Sequence, residues 1–317
     1  MPDTIALIGL GKIAQTQHVP TIVASPDFRL VGAASLQGDL PGLPVHRSHT
    51  ALLADPDLEA VAICTPPDAR FTVACDALRA GKHVLLEKPP TTTVGALANL
   101  ERLATAHNRV LFTAWHSQHN AAVDVARDFL SGRQVASLHI TWQEDVTRYH
   151  AGQQWIWQAG GFGVFDTVSN GLSILTRILP VPLFVESAEL FTPDNTETPI
   201  AATVRFSTGD NTGELTGHFD WRPSDGEKRE ISLTTADGHR LQLLSSGGRL
   251  LIDGAEIMNH PRTEYRLLYA RFAELIRTAT SDVDPAPLRL MADIFLIARH
   301  HAAAAFVEPV AVAHTRP

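Results

Sequence analysis

The stretch "TIALIGLGKIA", residues 4–14, decides the fold class. It opens with a short apolar run that reads as a buried strand. After a strand, Gly9 allows a tight turn, Gly11 lets a pyrophosphate approach the backbone, and Ala14 permits close packing of the next helix. The N-terminus of that helix favours phosphate through its dipole. An ordinary tight turn is the alternative reading, but the stretch predicts a dinucleotide site that includes Gly9, Gly11, Lys12 and Ile13.

Apolar runs and helix-like segments alternate through residues 1–117. The further runs are "FRLVGAA" (28–34), "LEAVAIC" (58–64), "HVLLE" (83–87) and "RVLFTAW" (109–115). Between two of them, Phe71, Cys75 and Leu78 repeat at helical spacing, and Gly81 marks the end of that helix. Strict alternation is typical of a doubly wound parallel sheet covered by helices on both faces. Residues 1–117 are therefore predicted to form an α/β domain of Rossmann type.

The pattern changes after residue 117. "VASLHITWQED" (135–145) alternates like a half-buried strand, and the strand-like runs of residues 183–253 are separated by "TPDNTETP", "STGDNTG", "PSDGEK" and "ADGH". These are hairpin and loop signals. Residues 118–317 are therefore predicted to form an α+β domain with a large open, mostly antiparallel sheet. Helical patterns return over residues 263–280 and 286–306, and the last helix is expected to pack back on the Rossmann domain.

Composition and charge indicate a globular protein whose ligands are small molecules. The composition, 44% hydrophobic and 19% charged, is typical of a globular protein. The length of 317 residues favours two domains. A net charge of −8 without any Lys/Arg block argues against nucleic acid or anionic lipid as a partner. We expect no membrane span, because no run of about 18 apolar residues occurs. No HxxxH or HExxH spacing suggests a metal.

Cysteine usage and the N-terminus bear on location and assembly. Two cysteines give no disulfide framework, and the N-terminus lacks the basic segment of a signal peptide. We therefore expect a cytoplasmic protein. A sheet with one open face could also bury that face in a homodimer.

Unusual residues follow the predicted parallel strands. Ser35, Thr65, Lys88 and His116 each come after one run, and Glu87 ends the run that precedes Lys88. The carboxyl ends of parallel strands line the ligand crevice, so these residues are candidates for cofactor or substrate contacts. The alternative for Lys88 is a solvated surface lysine.

The residue at the end of the second strand bears on cofactor choice. An NAD site would usually offer an acid there, whereas Ser35 tolerates a 2′-phosphate, which favours NADP. Leu36 stands where NADP enzymes often carry arginine, so use of NAD stays open. An ordinary loop serine is the alternative reading.

Asp166 is a lone carboxylate in an apolar segment of the second half of the chain. In "GGFGVFDTVSNGLSILTRILP" (160–180), Asp166 is the one charged side chain between Ala159 and Thr176, on a segment with an apolar helical stripe. A buried carboxylate costs several kcal/mol unless it is paired. No cation lies within one turn, so the partner is expected from elsewhere in the fold, with Lys88 best placed. Asn170 shares a helical face with Asp166, and together they could hold a polyol hydroxyl. A solvent-facing stripe is the alternative.

The preceding segment "WQEDVTRYHAGQQWIWQAGG" (142–161) is rich in tryptophan and amides. It contains Glu144 and His150, followed by Trp155 and Trp157. Aromatic faces beside donors and acceptors suit a sugar, although each residue taken singly is more often structural.

The motifs "GLGKIAQTQHVP", "TPP", "EKPP" and "GGFGVFDTVSN" make the chain resemble the glucose-fructose oxidoreductase and inositol dehydrogenase (Gfo/Idh/MocA) family. The resemblance implies a nicotinamide cofactor, NADP or NAD, on the first domain. In that family the EKP lysine and an Asp-x-x-x-His on a helix serve the substrate, which match Lys88, Asp166 and position 170. The sugar 1-dehydrogenase branch carries asparagine at that last position, as here. The resemblance to this branch implies that Asp166 takes the proton with Lys88 and Asn170 assisting, and that His116, Glu144 and His150 contact the sugar.

The expected activity is oxidation of an aldose at C1 to its lactone, with a galacto-configured substrate: D-galactose, L-arabinose or D-fucose. One alternative is dehydrogenation at another sugar carbon or of a cyclitol on the same fold. A non-catalytic NAD(P)-binding regulator is a further alternative, but such proteins tend to lose the lysine or the helix acid, and both are present.

Overall fold

The computed structural model describes residues 2–209, 213–222, 226–260 and 263–308. In this part of the chain, a first sheet of six parallel strands has the order β3-β2-β1-β4-β5-β6. Its strands are β1 (Asp3–Ile8), β2 (Phe28–Ala34), β3 (Val45–His46), β4 (Ala60–Ile63), β5 (His83–Glu87) and β6 (Leu111–Ala114). The centres of two predicted turns, residues 210–212 and 223–225, lie outside the described residues.

Helices follow these strands as the sequence predicts. They are α1 (Val19–Val23), which continues a π-helical turn over Ala14–His18, then α2 (His49–Leu53), α3 (Pro67–Arg79) and α4 (Val94–Ala106). Gly81 has a φ of +76° just beyond α3, which confirms the predicted helix stop. Separate apolar clusters cover the two faces of the sheet, which is why its strands read as continuous apolar runs. The predicted doubly wound α/β fold is confirmed.

The second sheet has the order β14-β13-β12-β11-β7-β10-β9-β8-β15 among the described residues. Its strands are β7 (Val135–Gln143), β8 (Phe184–Pro193), β9 (Ala201–Ser207), β10 (Leu215–Asp220), β11 (Lys228–Thr235), β12 (Arg240–Leu244), β13 (Arg249–Ile252), β14 (Ala255–Asn259) and β15 (Arg299–Ala303). Neighbours run antiparallel except β7 with β10 and β8 with β15. The mostly antiparallel sheet is therefore confirmed.

The helices of the second part are α5 (Ala121–Leu130), α6 (Val146–Tyr149), α7 (Phe165–Ile178), α8 (Glu264–Thr278) and α9 (Ala286–Ile297). Short 3₁₀ turns lie at His116–His119, Gln154–Trp157 and Ser245–Gly247. Helix α7 packs closely on β7 because Gly171 has no side chain. A Cβ there would lie 2.7 Å from Ile140 Cδ1 and from Trp142 Cε3. This close approach fixes the position of the helix that carries Asp166.

The C-terminal helices differ from the prediction. Helix α9 ends at Ile297, and strand β15 occupies part of the segment that was predicted to stay helical. Helix α9 touches α4 but packs mainly on α7 and β8, because its apolar stripe belongs to the core of the second sheet. It is α8 that covers the first sheet, where Phe272 stacks on Phe28 and Phe112. No helix in the described ranges has the length and apolar character needed to cross a membrane.

Candidate active site

A cavity of about 640 Å³ opens between the carboxyl ends of the first sheet and the elements around α7. Its wall includes eleven of the thirteen residues predicted to contact the cofactor or the substrate: Gly11, Lys12, Ile13, Thr65, Glu87, Lys88, His116, Glu144, His150, Asp166 and Asn170. The two that do not line it are Gly9 and Ser35. Residues far apart in the chain therefore meet at one place.

The glycine-rich turn has room for a dinucleotide. Gly9 has a φ of +95°, and a Cβ on it would lie 2.9 Å from the backbone nitrogen of Thr65, so glycine lets the ends of β1 and β4 come together. A Cβ on Gly11 would meet no protein atom within 4 Å, so the cavity beside it is open. Thr65 Oγ1 is buried and lacks a hydrogen-bond partner among the described residues. A ribose or phosphate group could satisfy this hydroxyl, so the residues present fit the cofactor that the motif predicts.

Ser35 uses its hydroxyl within the protein. Its Oγ accepts from the backbone nitrogen of Leu10 at 3.3 Å and donates to the carbonyl of Gln37. Arg47, just after β3, donates from Nη1 to the Ser35 carbonyl at 3.2 Å and pairs through Nη2 with Asp39 at 3.1 Å. The guanidinium of Arg47 thus lies at the end of β2, where Leu36 carries no charge. Arg47 is not predicted from the sequence, because β3 spans two residues, too few for a periodic signal.

Lys88 and Asp166 form the expected pair. Lys88 Nζ lies 3.2 Å from Asp166 Oδ2 and donates to the Asp166 carbonyl at 2.7 Å. The two side chains are 12% and 5% exposed, respectively. Such burial requires pairing, because an unpaired charge in this position is strongly destabilising. The lone carboxylate of α7 therefore finds its cation on the first sheet.

A buried network holds the residue before Lys88. Glu87 Oε1 accepts from the hydroxyl of Tyr265 at 2.7 Å and lies 3.0 Å from His18 Nε2, and Oε2 accepts from the Lys88 backbone nitrogen at 2.8 Å. Burial alone would raise the pKa of Glu87, but hydrogen bonding to His18 and the positive charge of that ring hold it below its ordinary value. The Glu87 carboxylate is thus committed to protein groups, and a direct cofactor contact by this side chain stays a prediction.

His150 and Asn170 complete the surroundings of Asp166. His150 Nε2 lies 3.9 Å from Asp166 Oδ2. Burial lowers the pKa of His150, although the negative charge of Asp166 acts in the opposite direction, and the net shift favours the neutral ring. Asn170 Oδ1 is buried and accepts no hydrogen bond from the described residues. Both side chains can therefore exchange hydrogen bonds with a neutral hydroxylated ligand.

Glu144 and His116 line other parts of the wall. Glu144 Oε1 accepts from Trp142 Nε1 at 2.6 Å and lies 2.8 Å from Arg229 Nε. The ring of His116 stacks on Tyr265 with centroids 5.0 Å apart. Arg229 is not predicted from the sequence, because "EKRE" (227–230) has the polar character of a solvent-exposed turn and no motif surrounds it.

Comparisons with known proteins agree with this architecture. The model of an oxidoreductase family with an NAD-binding Rossmann fold matches residues 4–115. Galactose 1-dehydrogenase of Pseudomonas fluorescens is 42% identical over 311 residues, which cover 97% of this chain and 99% of that protein.

Solved structures extend the comparison. The structure of D-galactose-1-dehydrogenase from Rhizobium etli has a TM-score of 0.91 and 43% identity, and the match covers 96% of this chain and 98% of that one. A 3-ketoreductase from Actinomadura kijaniata in complex with NADP and TDP-benzene has a TM-score of 0.83 at 19% identity, covering 96% and 100% of the two chains, which shows a shared fold alone. The chain therefore belongs to the Gfo/Idh/MocA family of oxidoreductases with an NAD-binding Rossmann fold.

Proposed function

We propose that the protein is an NAD(P)-dependent aldose 1-dehydrogenase, which oxidises the C1 hydroxyl of a galacto-configured sugar to the aldonolactone. The observation that carries the proposal is the buried Lys88–Asp166 pair, with the unsatisfied amide oxygen of Asn170 in the same cavity. Support also comes from the full-length similarity to two proteins named as galactose 1-dehydrogenases.

The side chains of the pair divide the work at C1. Asp166 accepts the proton of the C1 hydroxyl as the carbonyl forms. Lys88 donates a hydrogen bond to the same oxygen and offsets the negative charge that develops on it. Asn170, with a free acceptor and no charge, orients that hydroxyl or a neighbouring one. When bound along Gly11, Lys12, Ile13 and Thr65, the nicotinamide cofactor supplies the acceptor for the hydride that leaves C1.

The sugar is recognised by the rest of the wall. Support for His116, Glu144 and His150 as sugar contacts is that all three line the cavity and are largely buried. D-galactose, L-arabinose and D-fucose share the arrangement of ring hydroxyls and differ in the group at C5. A single hydroxymethyl group contributes only about 1–3 kcal/mol to discrimination, so we propose this group of sugars rather than one of them.

The activity can be tested with the three sugars and both cofactors. Formation of reduced nicotinamide is followed by its absorbance, and the product is identified chemically. A lactone from a galacto-configured aldose supports the proposal, whereas a ketose or an oxidised cyclitol favours the alternative reaction on this fold. A protein that binds the cofactor but turns over none of these substrates would be a regulator.

We propose further that NADP is preferred over NAD. Support comes from Ser35 in place of an acid at the end of β2 and from the Arg47 guanidinium beside it, which also neutralises Asp39. Arg47→Ala is expected to lower kcat/KM with NADP by about tenfold, since a hydrogen bond to a charged group contributes about 1.5–3 kcal/mol and this side chain is partly solvated. The value with NAD should stay within about twofold.

Binding gives an independent measure of this prediction. Calorimetry should show that Arg47→Ala binds adenosine 2′,5′-bisphosphate more weakly than the unmodified protein does, whereas the Kd for AMP should not change. Arg29→Ala, an exposed arginine on β2, serves as the matched control and should alter neither. Equal losses for both nucleotides would contradict the assignment of Arg47 to the 2′-phosphate.

We also propose a cytoplasmic homodimer. Support for the location is that Cys64 and Cys75 are both free and buried, as suits a reducing compartment. Support for the dimer is the sheet face that carries Ser137, Thr216 and Ser232, whose short side chains would let a second copy approach closely. Light scattering on the purified protein gives the mass in solution.

A further inference from the structure

A second buried cation faces the cavity. Arg229 lies on β11, opposite Trp142 of β7 in the sheet register, and its side chain is 15% exposed. Its Nε lies 2.8 Å from Glu144 Oε1, and its Nη2 lies 3.2 Å from Glu227 Oε2. The guanidinium also covers the ring of Tyr149, 5.1 Å from the centroid. Arg229 therefore has two carboxylates and an aromatic ring around it at the cavity wall, although its buried Nε makes no hydrogen bond with the described residues.

Glu144 depends on this cation. The Glu144 side chain is 5% exposed, and a buried carboxylate without a counter-charge would be strongly destabilising. The hydrogen bond from Trp142 ends on Oε1, and Oε1 is also the oxygen nearest to Arg229. Oε2 accepts no hydrogen bond from the described part of the chain. A carboxylate that is fixed through one oxygen presents the other as a strong acceptor for hydroxyl groups.

The site thus contains two carboxylate–cation pairs with separate contacts. Lys88 pairs with Asp166, and Arg229 pairs with Glu144. His150 lies within the electrostatic influence of both carboxylates. Since Lys88 and Asp166 are assigned to C1, the Glu144 pair is available for a hydroxyl elsewhere on the ring.

We propose that Arg229 is a positioning residue that fixes Glu144, so that Oε2 accepts a sugar hydroxyl remote from C1 and sets which aldoses bind. The inference rests on the proposed function, because it takes an aldose as the ligand. It assigns Arg229 a part in substrate affinity and specificity and no part in proton transfer.

The first test separates binding from turnover. Arg229→Met is expected to raise both KM and the calorimetric Kd for D-galactose by about tenfold to a hundredfold, as for loss of a hydrogen bond to a charged group. kcat at saturating sugar should stay within about threefold, and the Kd for NADP should not change. Arg205→Met is the control, since Arg205 pairs with Glu214 on an exposed part of the second sheet and should alter none of these values. A fall in kcat with unchanged sugar affinity would overturn the inference.

A second test uses variants that lack the Glu144 carboxylate, so that the positioning role can be refuted even if Arg229→Met folds poorly. Glu144→Gln and the double variant Arg229→Met/Glu144→Gln both lack the buried carboxylate, so neither leaves that carboxylate without a counter-charge. In Glu144→Gln, Arg229 keeps Glu227, whose Oε2 lies 3.2 Å from Nη2. If Arg229 acts through Glu144, the double variant binds galactose as weakly as Glu144→Gln alone. Multiplied losses in affinity would show that Arg229 acts on its own and would contradict the positioning role.

Monodeoxy galactoses identify the sugar hydroxyl that donates to Glu144 Oε2. In the unmodified protein, removing that hydroxyl should weaken binding about tenfold or more, and the penalty should vanish in Glu144→Gln and in Arg229→Met. Penalties that persist at every ring position would overturn the inference. An unmodified protein that binds galactose but does not oxidise it would refute the proposed function alone, whereas one that binds no aldose would refute both.

Discussion

Lys88→Met is expected to lower kcat by about 10²–10³-fold, as for removal of one donor to a developing oxyanion. Methionine keeps the length and apolar character of the lysine stem but carries no N–H group, so the C1 oxygen loses its donor. The Kd for the cofactor should stay within about twofold, because the contacts of Nζ are to the side chain and carbonyl of Asp166. Steady-state kinetics with D-galactose and calorimetry with NADP measure the two effects.

A control for folding accompanies this substitution. Removing one partner of a buried ion pair costs about 3–5 kcal/mol, so the free energy of unfolding should fall as well. Lys88→Arg keeps the charge and should recover stability more fully than turnover, because a guanidinium differs from an ammonium in shape and reach. Near-native turnover by Lys88→Met in folded protein would exclude Lys88 from the chemistry at C1.

Asp166→Asn is expected to lower kcat by about 10²–10⁴-fold, the usual contribution of a general base. Asparagine keeps the size of the side chain and can still contact Lys88, so the loss reports the missing proton acceptor. The matched control is Asp124→Asn on α5, whose carboxylate is 60% exposed and pairs with Arg127, and it should leave kcat unchanged.

His150 is the competing proton acceptor, since its Nε2 lies 3.9 Å from Asp166 Oδ2. If His150→Gln abolished turnover while Asp166→Asn retained most of it, the histidine would be the base and the carboxylate its orienting partner. We expect the reverse, with His150→Gln acting mainly on KM.

The fold was predictable to the extent that its signals are local. The glycine turn and the alternation of buried runs with helices predict the first sheet, because both arise from short-range spacing. Strand β3 was missed because two residues, Val45 and His46, carry no period. The packing of α8 on the first sheet was also not predicted, because an apolar stripe indicates that a helix is buried but not which surface it packs against.

The candidate site shows the same division. Asp166 could be selected because it is a charge in apolar surroundings, which is conspicuous in a linear sequence, and Lys88 because it follows a buried run at the carboxyl end of a predicted parallel strand. Arg229 and Arg47 lie in polar stretches, where a charge is the expected residue. Their proximity to Glu144 and Ser35 arises from sheet register and loop packing, which depend on contacts between distant parts of the chain.

Helix α8 has a consequence for how the protein is made. The first sheet begins at Asp3, yet one of its faces is completed by Phe272, and the carboxylate before Lys88 is held by Tyr265. During synthesis from the N-terminus, domains generally fold in the order in which they emerge. Here the nucleotide-binding half cannot be finished until the chain has been translated beyond residue 278. A fragment cut after residue 117, or a chimera joined there, must therefore bring residues 264–278 with it to form a closed core.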